Sequence, residues 1–226
     1  WLSDYTLFMA VKEAQGGLPW NQWEEGVAKR YGLSLHEWGT RLGEPIRTLK
    51  FAQYHFFKQW SALKEFANAR GVRIIGDIPI YVAHDSSDVW AHPELYQLDE
   101  AGNPTVVAGV PPDYFSATGQ LWGNPIYRWD LHAERGFDWW TDRIRATLRM
   151  VDWIRIDHFR GFEAYWEVPA TEQTAVNGRW VDGPRDALFD AVRNALGDVP
   201  VVAENLGVIT DEVEALRKRH GFPGMA

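Results

Sequence analysis

Apolar side chains recur along this chain in two ways, at helical spacing and as short β-branched runs. A helix is predicted over 4–15, closed by Gly16-Gly17, and a long one over 45–70. Pro45 suits the first turn of the long helix, Leu49, Phe56, Trp60 and Leu63 share one face, and Gly71 ends it. "VRIIGDIPIYVA", 72–83, reads as a buried strand. The polar, Gly/Pro-rich stretch that follows, 84–135, is too long for an ordinary connection. A helix fits 137–150, with Phe137, Trp140, Ile144 and Leu148 on one face, and a strand fits 151–157. After a loop with a hairpin around Asn177-Gly178, a helix opens at Pro184 and stops at Gly197. "VPVVAE", 199–204, is a further short strand, and a last helix runs from about Thr210 to near Gly221.

Strand and helix alternate three times, with no internal repeat, which signals α/β architecture with parallel strands. Each strand carries a carboxylate at or near its end: Asp77, Asp157 and Glu204. Alternate side chains of a strand share a face, so Arg155 and Asp157 point one way and Ile154 and Ile156 the other. A polar inner face ringed by helices suits a (β/α)8 barrel, whose catalytic groups sit at the C-terminal ends of its strands. A doubly wound sheet is the competing fold, but no Gly-rich phosphate loop follows any strand. The expectation is a partial (β/α)8 TIM barrel. Residues 1–226 form its central part, and 84–135 form an inserted substrate-binding loop subdomain. Three convincing strands are found where eight are required, so the flanking strands are expected before Trp1 and after Ala226. The first residue is Trp and the closing "FPGMA" shows no cap or tail, which reads as a segment of a longer protein.

Composition narrows the function. The net charge is −8, with 31 acidic and 23 basic residues, which argues against nucleic acid as a main partner. There is no apolar run near the roughly 20 residues that a membrane span needs, so no membrane partner is expected. The absence of cysteine excludes disulfides and thiolate metal sites, and it fits a reducing, cytoplasmic setting. Thirteen Trp, eight Tyr and eleven Phe serve a bulky core, and they are also platforms on which sugar rings stack.

Two carboxylates on neighbouring barrel strands suit glycosidic chemistry, one as nucleophile and one as general acid/base. Arg155, two residues before Asp157, favours the ionised form of that carboxylate, whereas no arginine lies close to Glu204 in sequence. The same spacing suits a plain Arg155–Asp157 salt bridge at a barrel rim with Glu204 a solvated strand end, and the residues alone leave both readings open. A metal-dependent hydrolase is disfavoured. No His-x-His occurs, and His84, His92, His132 and His158 lack ligand spacing.

The motifs around these residues resemble a known family. "RIDHFRGFEAYW" is similar to the nucleophile motif of the amylomaltases, the 4-α-glucanotransferases or disproportionating enzymes of glycoside hydrolase family 77, relatives of the α-amylase clan. "VAENLGVIT", 202–210, resembles their acid/base motif and "GDIPIYVAHDSSDVW", 76–90, their first strand-end motif. "GVPPDYFSATGQLWGNPIYRW", 109–129, resembles the substrate-binding loop beside their active site. The likeness covers essentially the whole chain, with the motifs in order. It implies Asp157 as nucleophile, Glu204 as acid/base, and Arg155 holding Asp157 ionised. Asp77 and His158 would hydrogen-bond the sugar whose bond breaks. Asp113, Tyr114 and Phe115 would shape the loop on the acceptor side. Trp122 would stack on a glucose ring, and Asn124 of the same loop would also contact substrate. Arg160, beyond the strand, reads as structural.

The implied activity is transfer of α-1,4-glucan segments by retaining double displacement, with no metal or organic cofactor. Its partners would be maltooligosaccharides and starch- or glycogen-derived glucans, with glucose as an acceptor. The chain departs from the family in one respect. The clan's third acid, in a later His-Asp motif, has no counterpart after Glu204, since Asp211, Glu212 and Glu214 lie in a helix start. The isolated segment is therefore expected to be inactive. An α-glucan hydrolase would share the carboxylates, and a non-catalytic glucan-binding module would share the aromatics.

Overall fold

The computed structural model describes residues 1–225. In chain order its elements begin with α1 (Leu2–Ala14), α2 (Glu25–Ala28), α3 (Gly32–Arg41), α4 (Gly43–Asn68), β1 (Ile75–Pro79) and α5 (Ser87–Ala91). Then come β2 (Val106–Val110), β3 (Gln120–Pro125), α6 (Trp129–Glu134), α7 (Asp138–Met150), β4 (Trp153–Asp157) and β5 (Ala164–Pro169). The chain closes with β6 (Arg179–Asp182), α8 (Arg185–Leu196), β7 (Val201–Ala203) and α9 (Asp211–Arg219). The fold is α/β, with one parallel and one antiparallel sheet. Among the described residues, no helix is long and apolar enough to cross a membrane.

The parallel sheet has the order β1-β4-β7. Its strands are shorter than the apolar runs that predict them. β1 stops at Pro79, which has no N–H to continue a ladder. Ile154 and Ile156 are fully buried, as the alternation requires, while Arg155 and Asp157 are only partly covered on the other face. The buried side packs against α7 through Trp140 and Ile144 and against α8 through Leu188, Phe189 and Val192. The helix predicted from 137 begins one residue later, because Phe137 sits at its N-cap with φ +56°. α8 ends at Gly197, in a φ of +76° that a side chain would strain.

The second sheet has the order β3-β2-β5-β6 and is antiparallel throughout. The stretch 84–135 supplies two of its strands, and the other two lie beyond β4. In β2, Gly109 is required: a Cβ there would come within 2.5 Å of the Gln120 carbonyl oxygen of β3. Two buried glutamates brace this region, one within the sheet and one between its border and α8. Glu167 accepts from Arg179 Nε at 2.7 Å, and Glu163 accepts from Arg185 Nη2 at 2.9 Å.

α4 is the longest helix and has no buried residue. It is fastened by polar bonds instead. Trp60 Nε1 donates to the Met150 carbonyl at 2.7 Å, and Lys64 Nζ donates to that of Val151 at 2.7 Å. At its end, Asn68 Nδ2 and the Ile74 N–H both donate to Asp152 Oδ2 at 2.8 Å, which locks the helix to the start of β1.

Candidate active site

Parallel register sets the first half of the site. Asp77 of β1 lies opposite Arg155 of β4, and Asp157 follows two residues on, on the same face. The guanidinium bridges both carboxylates: Nη1 donates to Asp77 Oδ2 at 2.7 Å and Nη2 to Asp157 Oδ1 at 2.8 Å. Its Nε lies 3.1 Å from Met225 Sδ. The hydrogen bond to Asp77 pushes Arg155 further above its usual range, against the opposing effect of burial, with Asp157 adding to the rise. A cation shared between two acids keeps them compatible at close range.

Glu204 directly follows β7, the strand next to β4. It is only 8% exposed, and both carboxyl oxygens are held by backbone donors. The His158 N–H reaches Oε2 at 2.9 Å, and the Leu206 N–H reaches Oε1 at 2.7 Å. His158 directly follows β4, and its backbone there is left-handed, with φ +56°. The residue after Asp157 thus connects the two acids. Its imidazole is pulled down to about 4, first by burial and then by repulsion from Arg160, with Asp157 acting in the other direction. A neutral ring has one donor and one acceptor to offer a sugar hydroxyl.

The loop residues divide into two groups. Trp122 meets the His158 ring edge to face at 4.8 Å, so it stands beside the acids. Asn124 Nδ2 donates to the Val82 carbonyl at 2.9 Å and fastens β3 to the segment after β1. Asp113 is engaged in its own turn, accepting from the N–H groups of Phe115 and Ser116 at 2.8 Å. That turn projects Tyr114 and Phe115 into solvent, 97% and 94% exposed, and the structure does not bring them to the Asp157 cluster. A separate cavity of about 1130 Å³, lined by Trp20, Trp23, Tyr96, Asp99 and Arg128 among others, contains none of the expected site residues.

The backbone donors on Glu204 escape sequence reasoning, because an amide carries no residue signature and a left-handed His has no periodic signal. Arg160, read from sequence as structural, is buried and donates from Nη1 to the Val208 carbonyl. Glu214, considered and set aside as a third acid, is occupied by Arg217 and by Asn205 Nδ2, which hold its carboxyl down at about 2. Among the described residues, no group of three or more His, Asp or Glu could hold a metal ion.

A family profile described as 4-alpha-glucanotransferase matches residues 1–226. A 4-alpha-glucanotransferase of Thermus thermophilus is 59% identical over 225 residues, covering 100% of this chain and 45% of that protein. One from a Synechocystis strain is 55% identical over 227 residues, again with 100% of this chain and 45% of that protein. An amylomaltase from Streptococcus agalactiae, solved in complex with acarbose, superposes with a TM-score of 0.96 at 47% identity, over 99% of this chain and 46% of its own. The chain therefore spans under half the length of the curated relatives it matches. With the motifs, the strand-end acids and these likenesses in agreement, the chain belongs to the 4-alpha-glucanotransferase family, glycoside hydrolase family 77.

Proposed function

We propose that the full-length protein containing this chain is a 4-α-glucanotransferase that passes segments of α-1,4-glucan to glucose or another glucan. One observation carries the reading. Asp157 ends one parallel strand paired to an arginine, while Glu204 ends the neighbouring strand sheltered and held by amides, with no side-chain cation among its partners. Two carboxyl groups in such different surroundings suit two different roles.

In the first half-reaction an Asp157 oxygen attacks the anomeric carbon. The bond from that carbon to the leaving 4-oxygen breaks, and Glu204 gives its proton to that oxygen. In the second, Glu204 takes the proton of an acceptor 4-hydroxyl, whose oxygen attacks the same carbon and releases Asp157. Retention of configuration follows. Arg155 keeps Asp157 ionised, Asp77 and neutral His158 bind hydroxyls of the reacting sugar, and Trp122 offers a ring beside them. Asn124 holds that ring's strand in place. Asp113, Tyr114 and Phe115 form a loop whose exposed aromatics would cover an acceptor and exclude water.

In this reading β1, β4 and β7 are consecutive strands of a (β/α)8 barrel, and the chain is its central part. The four-stranded antiparallel sheet is the substrate-binding subdomain, which extends the expected 84–135 by β5 and β6. Donors would be maltooligosaccharides and starch- or glycogen-derived glucans, no cofactor takes part, and the setting is cytoplasmic. Maltotriose given to the full-length protein tests the reading. A ladder of longer maltooligosaccharides with glucose supports transfer, whereas short sugars alone would move it to hydrolysis.

A further inference from the structure

The turn after Asp157 is anchored on all sides. Phe159 and Phe162 are fully buried, and a Cβ on Gly161 would come within 2.7 Å of Ile80 Cδ1. From this fixed turn Arg160 runs into the protein and is only 8% exposed. Its guanidinium lies 4.0 Å over the Trp180 ring of β6, and Nη1 donates to the Val208 carbonyl. Burial lowers its pKa, and the nearby Glu163 carboxylate works against that. Burying a guanidinium is costly, and an apolar side chain would fill the space at less expense.

Val208 belongs to the loop 205–209 between β7 and α9. The two ends of this loop are secured, Asn205 by Glu214 and Ile209 by packing on the core, but between them Leu206 and Val208 are 55% and 67% exposed. The same loop carries the Leu206 N–H, one of the two donors on the Glu204 carboxyl. Arg160 thus joins the turn after the nucleophile, the antiparallel sheet and the loop after the acid/base. A lysine could not reproduce both contacts, since only the planar guanidinium stacks on an indole while donating in its own plane.

We propose that Arg160 is a positioning residue for the glucanotransferase reaction: by fastening Val208 to the turn and to Trp180, it fixes the loop whose Leu206 amide orients the Glu204 carboxyl. This rests on the proposed role of Glu204 as acid/base. The predicted defect is specific to steps that need the Glu204 proton. Fluoride leaves a sugar without being protonated, so an α-maltosyl fluoride donor bypasses that need in the first half-reaction.

The test uses the full-length protein, unsubstituted and as Arg160→Met and Arg160→Lys, with thermal melting to confirm that each variant is folded. For Arg160→Met, kcat for transfer from maltotriose should fall about 10- to 100-fold, part of the roughly 10²–10⁴ that acid–base catalysis supplies, with KM little changed. Single-turnover fluoride release from α-maltosyl fluoride should stay within about twofold of the unsubstituted rate. Arg160→Lys should recover only part of the loss. An equal loss with both donors would make Arg160 merely structural, and an unchanged kcat would leave it no role. Either result overturns the proposal. If the unsubstituted protein builds no ladder from maltotriose, the transferase reading itself fails, and this inference fails with it.

Discussion

Arg155 holds apart two acids that its own strand register brings together, and its loss would leave Asp77 and Asp157 without their shared cation. Arg155→Met in the full-length protein should lower kcat/KM for maltotriose at least about tenfold, a cost of roughly 1.4 kcal/mol in the transition state. An unchanged value would remove Arg155 from the mechanism. A second residue-scale expectation concerns His132, which is fully buried and has no partner for either ring nitrogen. Burial pulls its pKa from 6.5 to about 4, against a partial offset from Asp138. The folded state therefore resists protonating a group that the unfolded chain protonates readily. The stability from this histidine is complete above pH 6.5 and is lost as pH falls towards 4, in total on the order of 3 kcal/mol. Melting temperatures at pH 7 and pH 5 should differ less in His132→Phe than in the unsubstituted protein. Equal differences would show that His132 does not govern this acid sensitivity. At this scale the pairing of Arg155 with Asp157 was legible, because a strand's period of two puts both on one face, whereas the bond from Arg155 to Asp77 comes from the β1–β4 register. The amides on Glu204 were not, because a backbone N–H carries no residue signature and the two come from separate segments, at His158 and Leu206.

Among the elements, the three parallel strands and the helices that cover them follow from β-branched runs and helical periodicity. The antiparallel sheet follows only at the β5–β6 hairpin, whose connection holds the Asn177-Gly178 expected there. β2 contains Gly109 and β3 contains Gly123 with Pro125, so both read as loop, and their pairing is imposed by distant partners. β5 begins so soon after β4 that it reads as the loop leaving it. α2 and α3 were also unread: α2 is only four residues long, and α3 buries a single side chain, Trp38. The join between elements that carries the clearest energetic prediction is Asp152. Its carboxylate is 12% exposed, accepts from Ile74 N–H and Asn68 Nδ2, and is pulled below its usual range by those bonds. Asp152→Ala leaves those donors short of a partner and should cost about 1–3 kcal/mol, measured by urea unfolding. A cost below a few tenths would mean that α4 is secured elsewhere.

For the whole molecule, the unburied face of α4 is the feature that periodicity alone misjudges. Phe51, Tyr54 and Phe66 are 65%, 61% and 56% exposed, and Ile75 at the open edge of β1 is 64% exposed. In the proposed barrel these surfaces take further strands and helices. The isolated chain should accordingly bind a hydrophobic dye such as ANS more strongly than the full-length protein does. It should also show no transfer activity, since the acids that follow Glu204, Asp211, Glu212 and Glu214, sit in the first turn of α9, and Glu214 is taken up by Arg217. Weaker dye binding by the isolated chain would contradict the assigned surface.

The measurement that bears most directly on the central claim is product analysis of maltotriose with the full-length protein beside Asp157→Asn and Glu204→Gln. The account predicts a ladder of longer maltooligosaccharides plus glucose from the unsubstituted protein, and loss of at least about 10³-fold in rate for the Asp157 variant. Glu204→Gln should also lose the ladder. An unchanged ladder in Asp157→Asn would contradict the assignment of this strand-end aspartate as the nucleophile.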